Sequence, residues 1–198
     1  VYDNLAYPVR IKVLSERDAL FVTDTKSDQL VKIFNLETGQ YIGDFVRRGP
    51  GPGELQNASD VEVFGNDNLI VVNGAVQRRM DFYDLDKVLE GNSPMPKTTL
   101  TFRTTSISTP KYLGRDRFLD LNDTNEGNPS ARFNLISSKD KIISSHGDFP
   151  DFEITRNLEN LKSQVFYAFL GTNKEHSHFI IANGYTDLLE IYDSKYRL

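Results

Sequence analysis

Four short apolar runs, each closing on Asp or Asn, recur along the chain: Leu20-Phe-Val-Thr-Asp24, Leu69-Ile-Val-Val-Asn73, Phe118-Leu-Asp-Leu-Asn122 and Phe179-Ile-Ile-Ala-Asn183. Their last residues are separated by 49, 49 and 61 positions. Self-similarity at such a period marks a repeat architecture, in which each unit is too small to bury its own apolar faces and stacks on its neighbours. A polar turn and a second run follow each: Leu30-Val-Lys-Ile-Phe34, Arg79-Met-Asp-Phe-Tyr83, Ala131-Arg-Phe-Asn-Leu135 and Leu188-Leu-Glu-Ile-Tyr192. Three of these four alternate, the period of a half-buried strand. Each pair therefore predicts a hairpin. Asp or Asn suits its turn, because the short side chain bonds nearby backbone and tolerates left-handed geometry.

Flanking runs complete the unit. Val9–Val13 and Asp60–Phe64 lead into hairpins, and Tyr41–Phe45 and Lys141–Ser145 follow them. Four antiparallel strands per unit of about 45 residues predict an all-β fold of β-propeller blades. The predicted blades are 1–48, 58–104, 105–147 and 165–198. An inserted loop or short helix is expected at 148–164, where Ile154, Leu158 and Leu161 fall at helical spacing. Leu89 to Thr98, with Pro94 and Pro96, predicts an irregular link. Four units are an incomplete propeller, since closure removes exposed sheet edges. The expectation is a fragment of a longer polypeptide, or an open arc that self-associates.

Charge and composition narrow the function classes. Charged residues are 26% of the 198, with a net charge of -5 and mixed signs along the chain. That balance argues against a nucleic-acid surface, which needs clustered Lys and Arg. Arg47-Arg48 and Arg78-Arg79 are the two basic pairs and read as solvated strand ends. With no cysteine, disulfides, zinc-thiolate sites and thiol nucleophiles are excluded. No apolar run reaches the ~18 residues of a membrane span. The chain opens on Val1 rather than Met, which raises the expectation of a processed start and a removed export signal.

The strongest local motif is Arg47-Arg-Gly-Pro-Gly-Pro-Gly-Glu-Leu55, followed by Asn57-Ala-Ser-Asp-Val61. It sits between the outer strand of one blade and the inner strand of the next. With the pattern Phe21-Val-Thr-Asp24, Val31-Lys-Ile-Phe34 and Thr38-Gly39, it resembles the NHL-type and TolB-like six-bladed propellers of bacteria. Blade three departs from that pattern: Asp120 lies inside its strand and no Gly-Pro-Gly linker follows. The resemblance implies a fold and an envelope setting, often as a lipoprotein of unknown function. It implies no reaction.

Candidate chemistry is sparse. Pro50 and Pro52 remove two of the backbone donors that a phosphate loop needs, and a strand rather than a helix follows, so the Gly-Pro-Gly segment reads as a rigid linker anchored by Glu54. His176 and His178 stand at alternate strand positions and are the candidate metal ligands; His146 reads as a loop residue. Asp24 with Asp28, or Asp81 with Asp84 and Asp86, are carboxylate groups that calcium favours, but they lack the spacing of a calcium loop. Arg10, Lys12, Asp60, Glu62 and Lys111 fall on or near predicted inner strands, which line a propeller's central channel, and are the ligand or channel candidates. No Gly-x-Ser-x-Gly elbow is present.

The resulting expectation is a non-enzymatic binding or scaffold propeller, exported to the periplasm or outer envelope. A protein or a polar polymer would be its ligand. No cofactor is expected, and a membrane link would run only through a removed lipid anchor. The alternative is a cation-assisted hydrolase or lyase, with a divalent cation on axial carboxylates.

Overall fold

Hairpin polarity is decided by a few side chains at strand ends. The computed structural model describes residues 5–64, 68–103, 110–114, 116–122, 130–149, 168–173 and 177–198, without the side chains of residues 73 and 75. The chain divides into two compact units, residues Val1–Thr101 and Phe102–Leu198. The predicted insertion helix lies outside the described residues.

Unit 1 holds two four-stranded antiparallel sheets. The first has β1 (Pro8–Leu14), β2 (Ala19–Asp24), β3 (Gln29–Asn35) and β4 (Tyr41–Arg47), paired in sequence order. The second has β5 (Asp60–Phe64), β6 (Leu69–Gly74), β7 (Arg79–Asp84) and β8 (Thr98–Thr101), again in order. A short helix, α1 (Leu85–Leu89), precedes the irregular link to β8. Its N-cap is Asp84, whose side chain accepts from the Lys87 backbone N–H.

Turn chemistry follows the sequence. Asn35 Oδ1 accepts from the Glu37 and Thr38 backbone N–H groups, at 3.1 and 2.8 Å, and turns the chain toward Gly39 at φ 69°. Asp24, fully buried, accepts from the backbone N–H groups of Ala6 (2.6 Å), Tyr7 (2.9 Å) and Lys26 (3.1 Å). It thus ties the segment entering β1 to the β2–β3 turn. Burial pushes the Asp24 carboxyl up, but these backbone donors outweigh it and hold its pKa below the usual value.

The unit's core lies between its two sheets. Phe21, Val31, Ile33 and Phe45 of the first sheet pack with Val61, Ile70, Val72 and Tyr83 of the second. Phe45 and Tyr83 meet edge to face, with ring centroids 5.2 Å apart. A Cβ on Gly43 would stand 3.0 Å from the Gly91 Cα, so only glycine lets the link after α1 approach β4 this closely.

Unit 2 repeats the plan. One sheet has β9 (Lys111–Tyr112), β10 (Arg117–Leu121), β11 (Ala131–Ser137) and β12 (Lys141–Asp148). The other has β13 (Ala168–Thr172), β14 (His178–Asn183) and β15 (Leu189–Asp193). Leu119, Leu121 and Phe133 pack with Leu170, Phe179, Ile181 and Tyr192. The Phe133 ring sits edge-on to Phe179 and Tyr192 at 5.0 and 5.1 Å, while those two stack at 4.9 Å. The architecture is that of β-propeller blades, all-β and four-stranded where complete.

One expectation is corrected. The alternation in the second runs suggested half-buried strands, yet β3, β7 and β11 are buried on both faces along nearly their whole length. Each of these strands has a hydrogen-bonded neighbour on both sides, and one face of β3 and β7 packs in the core of unit 1 and one face of β11 in that of unit 2. Of the four second runs, β15 is the one that alternates, with Glu190 and Tyr192 buried and Leu189 and Ile191 exposed.

Candidate functional site

Antiparallel order sends alternate connections to opposite ends of a unit. In unit 1 the β2–β3 turn, the β4–β5 linker and the β6–β7 turn share one end. Hydrogen bonds confirm it: Arg48 donates its backbone N–H to the Asp28 carbonyl at 2.7 Å and its guanidinium to the Thr25 carbonyl. The Gln56 N–H donates to Gln77 Oε1 at 2.7 Å. The β1–β2 turn and α1 share the other end, where Arg17 pairs with Asp86.

The two ends differ in charge. The linker end exposes Lys26, Arg47, Arg48 and Arg78. Its acidic groups are largely engaged. Asp24 is bound by backbone donors, and Glu54 accepts from the Gly51 N–H at 2.9 Å and lies 3.7 Å from the Arg47 guanidinium. Asp28 and Asp60 are the other carboxylates here. The opposite end exposes Glu16, Asp18, Glu37, Asp86 and Glu90. Two of its cations are paired, Arg17 with Asp86 and Lys97 with Asp84 at 2.7 Å.

The linker itself is rigid. Gly49 and Leu55 close it through two backbone bonds, Gly49 N–H to the Leu55 carbonyl (3.1 Å) and Leu55 N–H to the Arg47 carbonyl (3.0 Å). Leu55 is fully buried in the unit's core. Gly53 takes φ 72°, a left-handed conformation open to glycine. The anchoring role read for Glu54 is what the structure shows.

The predicted site residues are placed as follows. Arg10 and Lys12 stand on β1, opposite Thr23 and Phe21, and so face the second sheet of the unit. Asp60 and Glu62 stand on β5, opposite Asn73 and Val71, on the face turned away from the first sheet. Lys111 begins β9 in unit 2 and is buried. His178 begins β14, is exposed, and has Nδ1 at 3.1 Å from Ser177 Oγ. His176 lies outside the described residues. Among the described residues, no group of three or more His, Asp or Glu is arranged to hold a metal ion.

Other acidic residues turn out to serve the fold. Asp81 is fully buried and takes both Arg79 Nε (2.8 Å) and Nη2 (2.6 Å), plus Thr99 Oγ1 (2.7 Å). Arg79 is therefore not the solvated strand end that its pairing with Arg78 suggested. The aspartates grouped as a calcium candidate are dispersed: Asp81 in the core, Asp84 on Lys97 and α1, and Asp86 on Arg17. In unit 2 a buried network links the two sheets: Arg132 reaches Glu190 Oε2 (3.2 Å) and Asn183 Oδ1 (2.6 Å), and Tyr192 donates to Glu190 Oε1 (2.9 Å). The Glu190 charge and burial push the Tyr192 hydroxyl pKa well up, with burial the larger cause. Sequence patterning does not reveal the Arg132–Glu190 and Arg132–Asn183 pairs, whose members are 58 and 51 positions apart.

Comparison with known families places this geometry. Residues 1–197 match the model of the TolB-like 6-blade propeller-like family. The chain belongs to that family. Among solved structures it is similar to a Bacteroides fragilis protein named as exported, with 14% identity and a TM-score of 0.59, covering 98% of this chain and 74% of that one. A Bacteroides vulgatus member of the DUF4221 family matches at 11% identity and a TM-score of 0.55, over 96% of this chain and 58% of that one. The β-propeller domain of Cps50 (Swd1) from Myceliophthora thermophila matches at 12% identity and a TM-score of 0.53, over 96% and 55%. At these identities the likeness is one of fold. The chain thus spans about three quarters of the first of these structures and less than two thirds of the other two. Comparison with curated proteins finds no match.

Proposed function

We propose that this TolB-like chain is a non-enzymatic binding or scaffold module, exported to the bacterial envelope, that holds a protein or a polar polymer at the linker end of unit 1. The observation that carries the reading is the exposed cation set Lys26, Arg47, Arg48 and Arg78 on three loops of one end. Those loops are held by backbone bonds and by the buried Leu55, so the charges are presented on a fixed frame. Such a surface steers and orients an anionic partner. The similarity to a Bacteroides fragilis protein that is named as exported supports the envelope setting. No cofactor takes part in this role.

The native chain has no cysteine, so one introduced thiol is uniquely addressable. Arg47→Cys at the linker end and Glu37→Cys at the opposite end would each carry a photo-crosslinker in intact cells. We expect an adduct of defined mass from position 47 and none from position 37. Equal yields at both positions, or none at either, would reject the reading. Labelling of both thiols by a membrane-impermeant reagent tests export.

A further inference from the structure

The linker end carries two features that charge alone does not explain. Val46, buried at 2% exposure, has φ 66°. A β-branched residue is rare in the left-handed region and is held there only by its surroundings. The kink falls one residue before Arg47, whose side chain is 73% exposed. Arg78, on the neighbouring β6–β7 turn, is also left-handed at φ 48°. Two exposed arginines thus stand on or next to left-handed backbone.

Beneath Arg47 is an unpaired acceptor. Gln29 is the direct cross-strand partner of Arg47. Gln29 Oε1 and Thr23 Oγ1 have no hydrogen-bond partner, although both atoms are buried. Both residues stand at this end of the first sheet, with Thr23 opposite Val31 and Gln29 two residues before Val31. Leaving a buried polar group unpaired is unfavourable. Gln29 is only half-buried as a residue, and the site proposed below requires its amide to turn outward from this buried position.

Spacing limits what can bind. Arg47 belongs to the first sheet's exit and Arg78 to the second sheet, and stacked sheets lie about 10 Å apart, roughly three residues of extended chain. A ligand that carries several anionic groups along an extended chain engages both while lying across the loops. An exposed aromatic at this end, Tyr7, has the Lys26 ammonium over its ring at 4.7 Å, which occupies the face on which a nucleic-acid base would stack.

We propose that the ligand is an acidic protein segment in extended conformation, with carboxylates on Arg47, Arg78 and Lys26 and a backbone N–H donated to Gln29 Oε1. This inference rests on the binding reading above and names its partner class.

The test is fluorescence anisotropy of the native chain with a labelled short peptide of alternating aspartate and serine, set beside labelled polygalacturonate. Three variants are compared: Arg47→Glu with Arg78→Glu, Lys26→Glu, and Gln29→Leu, each checked for an unchanged melting midpoint. We expect peptide binding to weaken about tenfold or more in the double variant and several-fold in Lys26→Glu. Gln29→Leu should weaken the peptide about fivefold, one hydrogen bond's worth, and leave polygalacturonate binding unchanged. Binding of polygalacturonate alone, lost in the double variant, would overturn the peptide inference and keep the binding end. No binding of either probe, or binding indifferent to all three variants, would overturn both. Should the double variant fail to fold, Lys26→Glu at the exposed turn decides the charge dependence.

Discussion

Asn122 and Asn183, 61 residues apart in sequence, make the same bond in neighbouring sheets of unit 2. Asn122 Nδ2 donates to the Ala131 carbonyl at 3.0 Å, and Asn183 Nδ2 donates to the Leu188 carbonyl at 3.1 Å. Each locks the mouth of its hairpin, beside a backbone bond from its own N–H across the same turn. The recurrent Asx position is thus a hairpin lock, and in unit 1 Asp24 fills it with the reverse polarity, accepting backbone donors.

The two locks differ in what else they hold. Asn183 also accepts from Arg132 and donates to Glu190, so its removal disturbs a buried charge pair. We expect Asn183→Ala to destabilise unit 2 by roughly 3 kcal/mol, combining a lost lock with a weakened buried network. Asn122→Ala, which leaves the charges paired, should cost about 1–2 kcal/mol. Urea unfolding of both variants checks the order; equal losses would mean that the Arg132–Glu190 network does not depend on Asn183.

His146 predicts acid sensitivity. Its ring lies against Phe133 and Tyr196, at 5.7 and 4.6 Å, and its Nε2 is 2.7 Å from Ser144 Oγ. Burial lowers its pKa from 6.5, so the folded state favours the neutral ring. A histidine with a depressed folded value stabilises fully above its unfolded pKa. That contribution is lost as pH falls through 6.5 toward the folded value. The melting midpoint should therefore start to fall below about pH 6.5, and His146→Phe should flatten this part of the profile. An unchanged profile in the variant would assign the slope to carboxylates instead.

The face of the β13–β15 sheet turned away from the core is apolar. Ile180, Leu189 and Ile191 are 41%, 55% and 53% exposed, and the sheet register sets Ile180 opposite Ile191. Exposed apolar sheet surface promotes association. We expect the isolated chain to self-associate with rising concentration, and Ile180→Lys with Ile191→Lys to return it to a mass of 22.5 kDa by light scattering. A wild-type chain that stays at this mass at high concentration would show the face to be covered.

Legibility in the sequence followed distance along the chain. The hairpins were readable because strand and turn signals are local: the runs Leu20-Phe-Val-Thr-Asp24 and Leu30-Val-Lys-Ile-Phe34 lie within β2 and β3. The Gly-Pro-Gly-Glu linker was readable for the same reason, since Glu54 closes on Gly51, three residues away. What stayed hidden depends on sheet stacking. Burial of β3, β7 and β11 on both faces, and the Arg132–Glu190 pair across 58 positions, are set by neighbours that no local pattern names. The channel candidates rested on inner-strand position alone. Position does not say which way a strand turns its residues, and Arg10 and Glu62 leave differently oriented faces. The cations of the linker end were individually visible, but only antiparallel order collects three loops at one end.

The buried Arg79–Asp81 pair gives the last prediction. Asp81 is fully buried and Arg79 only 15% exposed, so both charges are largely desolvated. The attraction of such a pair is offset by the cost of taking it out of water, whereas deleting one partner strands the other. Arg79→Leu should therefore destabilise unit 1 by about 3–5 kcal/mol, because Asp81 keeps only Thr99 and the Tyr83 hydroxyl, at 2.7 and 3.4 Å. The double variant Arg79→Leu with Asp81→Leu should recover most of that loss, since the core around Val61 and Val72 accepts apolar volume. Chemical unfolding of the single and double variants measures the coupling. If the double variant is as unstable as the single, the pair contributes net stability. Recovery would mean that the pair contributes no net stability over apolar residues at the same positions.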